Sequence, residues 1–482
     1  MLTPTSEAIE AQDLAALGLI NTYPGELRQA ATGPNNSAYL ERQASTESNA
    51  RSYPRKLTFA ISKAKGMYIK DTDDNVYYDC LSGAGALALG HNHPVVQDAI
   101  RQQLDANLPM LTLDITTPVK DEFVQELLSS LPAEFAKNAK IQFCGPSGAD
   151  AVEAAIKLVK IATGRRGMMA FHGGYHGMTH GALAMMGNLG SKSKIPGLMP
   201  EVQFLPFPYT YRSPMGDDGT ACSELCSNYI DNILTDDESG VVKPAGIIIE
   251  AVQGEGGKIP ASADFLQRLR KITKEQNIPL IIDEVQTGIG RTGKMYAFEH
   301  AGIIPDVVIL SKAVGGSLPL AVVVYHKDLD VWGPGAHAGT FRGNQLAMAT
   351  GTAVIRHIRE HKLIENAAAM GQLFTTLLAN IQLTKPCLGD IRGLGLMLGV
   401  EIVNPYSQET LCGKPPRYEQ LSRRIQAACF SRGLILELGG RQSSVLRFMP
   451  PLTVNERQVR AICAIFEEAV TAAELELLPH QN

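Results

Sequence analysis

Between about residue 100 and residue 325 the chain repeats one pattern: a short apolar run rich in β-branched residues, then a longer stretch with helical spacing. The runs are "IQFC" (141–144), "GMMAF" (167–171), "AGIIIE" (245–250), "PLIIDE" (279–284), "VVIL" (307–310) and "LAVVVY" (320–325). Helix candidates over 148–162 and 262–276 lie between them. Strands that are apolar on both faces must be covered on both faces, which predicts an α/β fold with a mainly parallel sheet. The large domain is expected at 100–345. Upstream, "GMYIKDTDDNVYYDCLS" alternates apolar and polar residues about a "DTDDN" turn and reads as a hairpin. Downstream, a long helix after 345 precedes "DIRGLGLMLGVEI", "GLILEL", "VLRFM" and a helix over 455–474. The expected layout is a loosely packed arm at 1–50 with one helix near 7–18. Segments 51–99 and 346–482 then join as a smaller α+β domain.

Composition removes several classes of function. The 482 residues are 45% hydrophobic and 19% charged, an ordinary globular balance. A net charge of −5 argues against a nucleic-acid surface, which needs a basic face. No uninterrupted apolar run reaches the roughly 18–20 residues of a membrane helix. The first residues carry acids and no basic n-region, so no targeting segment is expected and the location reads as cytoplasmic. Eight cysteines are scattered. Cys222 and Cys226 form the closest pair, with no second pair or histidine cluster, so neither a metal site nor a disulfide framework is expected.

In sheets of this kind ligands gather beyond the carboxyl ends of the strands. Glu250, Asp283, Glu284 and Lys312 stand at such ends, and Ser147 follows "IQFC" closely. A strand-end lysine can simply extend its ammonium to water. In apolar surroundings its pKa falls instead, and the amine becomes a nucleophile able to form Schiff bases with carbonyl compounds such as pyridoxal phosphate. Asp283 could hold the protonated pyridine nitrogen of that cofactor, bind a metal or cap a helix. Ser147, opening the "SGADAVEAAIKLVK" helix, could seat an anion at the helix N-terminus or be an N-cap alone. The Gly-rich run after Asp283 fits neither nucleotide fingerprint.

Taken together, "GHNHP", "PSGADAVEAAIKL", "YHG", "EAVQGEGG", "LIIDEVQTGIGRTGK", "DVVILSKAVGGSLPLA", "GTFRGNQLA", "IRGLGLMLGVE" and "LRFMPPL" resemble the class III, fold-type-I, pyridoxal-phosphate-dependent aminotransferases, in that family's order over residues 57–460. The resemblance implies pyridoxal 5'-phosphate as cofactor, a small-molecule amino donor, and 2-oxoglutarate and glutamate as the other substrate pair. Lys312 matches the Schiff-base lysine and Asp283 the acid on the pyridine nitrogen. Gln286 matches the group on the phenolic oxygen, and Val285 and Tyr175 the residues on the two ring faces. His176 falls among the cofactor-binding positions. Ser147, Gly148 and Ala149 match the phosphate turn. Thr340 matches a threonine that reaches the phosphate of a neighbouring subunit, which implies a homodimer or a higher homo-oligomer. The pair of glycines after Lys312 would then let the backbone pass close to the cofactor.

Substrate positions follow from the same resemblance. Arg447 matches an arginine that grips the α-carboxylate, and Glu255 a glutamate that neutralises it in relatives acting on a distal amine. Met178 departs from the family, standing where many members carry a carboxylate-binding arginine. Tyr53 and Arg55 are the candidates to replace it. Gly83, Ala84 and Gly85 stand where bulkier groups line the pocket in some relatives. "YLERQASTESNARSYPR" and Gln345 are most similar to the members that move the 4-amino group between L-2,4-diaminobutyrate and 2-oxoglutarate. Ornithine, 4-aminobutyrate or putrescine as donor, or an aminomutase or racemase on the same residues, are the alternatives.

Overall fold

The computed structural model describes residues 6–18 and 32–478, with side chains from residue 10 onward. Its centre is a seven-stranded sheet. In spatial order the strands are Ala139–Phe143, Val322–His326, Val307–Leu310, Leu280–Asp283, Gly246–Ile249, Met168–Phe171 and Val202–Leu205. Only Val322–His326 runs against its neighbours; the other pairings are parallel. The central strands are buried throughout, as their unbroken apolar runs require. Register sets Asp283 opposite Ile309 at the carboxyl end of its strand. Helix Gly148–Thr163 turns Ala151, Val152, Ala155, Leu158 and Val159 inward and stops at Gly164, whose φ of 69° only glycine adopts freely.

Two smaller sheets flank this core. The hairpin of Tyr68–Asp71 and Val76–Asp79 is joined by Ile61–Lys65 on one side and by Leu434–Ile435 on the other. Residue 434 thus pairs with residue 78, so the carboxyl part of the chain completes a sheet begun at the amino end. The other sheet is antiparallel, ordered Leu388–Leu394, Met397–Ile402, Val445–Phe448, Glu437–Gly439.

The arm departs from expectation. Residues 1–5 and 19–31 lie outside the described residues. Residues 41–50 are exposed almost throughout, but two parts of the arm are docked. Helix Ser6–Ala16 is present as expected, but Leu14 and Leu17 are buried, and Glu10 accepts a hydrogen bond from Tyr68. A second helix, Pro34–Thr46, occupies a stretch that reads as turn-rich, with proline in its first turn. Asn36 in it is buried and donates to Asp71 at 2.8 Å. A polar sequence can dock when its polar groups find buried partners, and hydropathy does not register that. The expected long helix after 345 is two helices, Gln345–Glu360 and Leu363–Gln382, broken at Lys362 in a left-handed conformation. Strand Val202–Leu205 and helix Cys222–Thr235 have no counterpart in the sequence reading. Among the described residues no helix is long and apolar enough to cross a membrane.

Candidate active site

The carboxyl ends of Leu280–Asp283 and Val307–Leu310, the start of Gly148–Thr163 and the turn after Phe171 enclose a cavity of about 510 Å³. Ser147, Gly148, Ala149, Tyr175, His176, Asp283, Val285, Gln286, Lys312, Glu255 and Tyr53 all line it. Side chains spread over 260 residues of sequence thus meet in one place. Arg447 lies behind its wall, 2.6 Å from Glu255. Thr340 and Arg55 do not line it. Thr340 is exposed in the turn Thr340–Gly343, and the Arg55 guanidinium is tied to Asn49 and the Arg51 carbonyl. Tyr53 is therefore the one of the two proposed Met178 substitutes that reaches the cavity. Met178 itself lines it and is exposed.

Lys312 sits at φ 51°, a left-handed conformation that costs a side-chain-bearing residue about 1 kcal/mol. Ser311 fixes the bend by donating to the Leu320 carbonyl at 2.9 Å. Burial holds the Lys312 amine below the ordinary lysine range, against the opposing pull of Asp283 and Glu250. A share of neutral amine is what a nucleophile or proton carrier needs. The two glycines after it act differently from expectation. A Cβ on Gly315 would meet Leu320 at 2.9 Å, and one on Gly316 would strike the Thr350 carbonyl at 2.3 Å. They allow the turn to pack against helix Gln345–Glu360; they do not face the cavity.

Asp283 is buried, with Nδ1 of His176 2.8 Å from Oδ2 and the Val285 amide donating to Oδ1 at 3.1 Å. Burial would push the His176 ring down; its hydrogen bond to Asp283, with the charges of Asp283 and Glu250, outweighs this and raises it. Gln286 is held from both sides: Nε2 donates to the Ala84 carbonyl at 3.1 Å and Oε1 accepts from Lys258 at 2.7 Å. Lys258 is fully buried, and burial, then the charges of Arg447 and Lys312, hold its amine well below the lysine range. Glu250 organises two turns, accepting from the Tyr175 amide at 2.9 Å and the Gly254 amide at 2.7 Å; burial pushes its carboxyl up to about 7.

Behind the cavity wall, Arg447 is held by two acids. Nη1 lies 2.6 Å from Glu255 and Nη2 2.8 Å from Glu437. Burial works against the guanidinium's charge, and the two carboxylates more than restore it. The Glu255 side chain is 44% exposed while that of Arg447 is 2% exposed, so the glutamate is the member of this pair open to solvent. Lys258, Glu437 and the bridging role of Glu250 were not found in the sequence. Glu437 could have been placed only with the strand register that sets it opposite Arg447.

A larger cavity of about 1140 Å³ adjoins the first and shares Tyr175 and Glu255 with it. It holds neither Lys312 nor Asp283, so the chemistry belongs to the smaller one.

The site fits a flat anionic cofactor. The N-terminus of helix Gly148–Thr163 meets the cavity at Ser147–Ala149 and suits a phosphate, with the Ser147 amide donating to the Gly145 carbonyl at 2.7 Å and the Ala149 amide to Ser147 Oγ at 3.3 Å. Aliphatic Val285 and aromatic Tyr175 line the walls, and the buried Asp283 shares the cavity with Lys312. A Cβ at Gly148 would come within 3.0 Å of Val285, and one at Gly177 within 2.5 Å of Ala149, so side chains there would fill the cradle.

These features suit an enzyme of the pyridoxal-phosphate class. The chain belongs to the class III aminotransferases: the family model "Aminotransferase class-III" matches residues 49–470. It is 51% identical over 460 residues to a protein of Rhizobium meliloti named diaminobutyrate–2-oxoglutarate aminotransferase, covering 94% of this chain and 98% of that one. A protein of the same name from Haemophilus influenzae is 50% identical, covering 91% and 96%. Among solved structures, an amine transaminase from an uncultivated Pseudomonas species, in pyridoxal-phosphate-bound form, superposes with a TM-score of 0.77 at 26% identity, covering 89% of this chain and 98% of that one.

Proposed function

We infer that the protein moves the 4-amino group between L-2,4-diaminobutyrate and 2-oxoglutarate, giving L-aspartate 4-semialdehyde and L-glutamate. The observation that carries this reading is the Glu255–Arg447 pair, 2.6 Å apart, beside the cavity that holds Lys312. With Arg447 neutralised, an amino acid is not drawn in by its α-carboxylate, and its far amine can meet the reacting centre. When 2-oxoglutarate enters, the exposed Glu255 swings off and Arg447 takes the carboxylate in a bidentate pair. The naming of two relatives near 50% identity supports the same donor.

Bound pyridoxal phosphate supplies the electron sink that acidifies the amine-bearing carbon. The chain's residues supply the rest. Lys312 takes the proton from that carbon and returns it, a general base then acid whose lowered pKa suits both duties. Asp283, oriented by His176, keeps a proton on the pyridine nitrogen. Gln286, fixed by Lys258 and Ala84, aims its amide at the ring oxygen. Ser147, Gly148 and Ala149 hold the phosphate, and Val285 and Tyr175 keep the ring flat between them.

The working unit in this reading is a homodimer. Thr340, outside its own chain's cavity, belongs to the neighbour's phosphate site. It lies beside an exposed apolar surface of Met110, Leu111, Leu113, Ile115 and Phe341, stitched to it where the Gln345 amide donates to Met110 and the Thr112 amide to Gly343. Such a patch calls for a partner surface. In the same reading, residues 51–99 and 346–482 serve as one small domain.

The test is a panel of amine donors with 2-oxoglutarate, identifying which amino group is lost. Aspartate 4-semialdehyde as the product from diaminobutyrate is expected. Loss of the α-amino group, or faster use of ornithine, 4-aminobutyrate or putrescine, contradicts the assignment.

A further inference from the structure

The two acids on Arg447 are one more than its charge needs. Glu255 neutralises the guanidinium, and Glu437 at 2.8 Å leaves the trio with a net formal charge of −1. A guanidinium kept only to grip carboxylates would bind them better without the second acid. Glu437 is 16% exposed and lines the same cavity as Lys312 and Tyr53, whose pKa rises through burial and then through that acid. Its place is fixed by backbone: Glu437 stands opposite Arg447 in an antiparallel pair, so it does not swing with the exposed Glu255.

Resting on the donor reading above, we propose that Glu437, with Tyr53, is the seat of the substrate's second ammonium, the α-ammonium of a diamino acid whose distal, amine-bearing carbon exchanges its proton with Lys312. A carboxylate already holding Arg447 keeps acceptor capacity for a further N–H donor, because an ionised carboxyl has about four lone-pair sites. A ligand that brings a cation to Glu437 offsets this excess negative charge. The donor set therefore discriminates diamino acids from ω-amino acids of the same length that lack the α-nitrogen.

4-Aminobutyrate differs from 2,4-diaminobutyrate by that one group, and the pair isolates the contact. The full-length enzyme loaded with pyridoxal phosphate is assayed with 2-oxoglutarate and each donor in turn, as wild type, Glu437→Gln and Glu437→Asp. In Glu437→Gln the ratio of kcat/KM for diaminobutyrate to that for 4-aminobutyrate is expected to fall about tenfold or more, chiefly through KM for diaminobutyrate. Glu437→Asp recovers part of the ratio. A ratio unmoved in Glu437→Gln, whether both donors fall together or neither does, overturns the proposal and leaves Glu437 as a structural partner of Arg447. A wild-type enzyme that prefers 4-aminobutyrate is a different result: it refutes the donor reading itself and the proposal that rests on it.

Discussion

The Nδ1 atom of His176 lies 2.8 Å from Oδ2 of Asp283, and neither residue is open to solvent. The pair joins the turn after Phe171 to the end of strand Leu280–Asp283 and fixes the acid's orientation from the side. His176→Phe removes the only side-chain partner of Asp283 among the described residues and leaves its charge buried. Turnover and pyridoxal-phosphate affinity are each expected to fall about tenfold or more. Equilibrium dialysis of the cofactor alongside steady-state rates checks this; unchanged affinity would mean that the histidine only fills space.

Lys258 gives a contrasting expectation, because a buried lysine with a low pKa contributes little to stability but directs an amide. Replacing it with Met keeps the volume, removes a costly buried amine and frees Oε1 of Gln286. The melting temperature of Lys258→Met should hold or rise while turnover drops about tenfold. A parallel loss of both would make Lys258 a structural residue only.

Glu255→Ala addresses the carboxylate gate. Without the glutamate, Arg447 is free to take an α-carboxylate at all times. The ratio of reaction at the α-amine of glutamate to reaction at the distal amine of diaminobutyrate should rise about tenfold. Competition between the two donors, with the products separated by chromatography, reads the ratio directly.

Stability should depend on pH through Glu284, which follows Asp283 and is buried against the Phe298 amide and Thr287. Burial pushes its carboxyl from 4.5 up to about 7. A raised acid favours the folded state fully below the unfolded value, and that contribution disappears as pH rises through about 7, a loss of order 3 kcal/mol. Glu284→Gln, neutral at every pH, should lose less stability than the wild type between pH 5 and pH 8. Urea unfolding at both pH values measures the difference, and identical slopes would place the acid's pKa near its ordinary value.

Much of this architecture could be read in the sequence because the governing signals are local. Buried parallel strands announce themselves as unbroken apolar runs, and Asp283 and Lys312 stand out as charges at their ends. The strand Val202–Leu205 escaped because it lies at the sheet edge, where three of its four residues are not fully buried and the run is mixed. Lys362 breaks a helix with a backbone conformation that its residue type does not signal. Arg55 was a candidate beside Tyr53, yet its guanidinium is taken up by Asn49 and the Arg51 carbonyl and only Tyr53 lines the cavity. Glu437 and Lys258 needed long-range facts: a strand register in one case, and a contact with Gln286 across 28 residues in the other.

Two lysines with lowered pKa stand near the cavity, Lys312 lining it and the buried Lys258 behind Gln286, and only one can carry the cofactor. Borohydride reduction of the holoenzyme fixes pyridoxal phosphate to the lysine that holds it, and peptide mass mapping then names that residue. The account predicts the added mass on Lys312 alone. Label on Lys258, or on neither lysine, would contradict it.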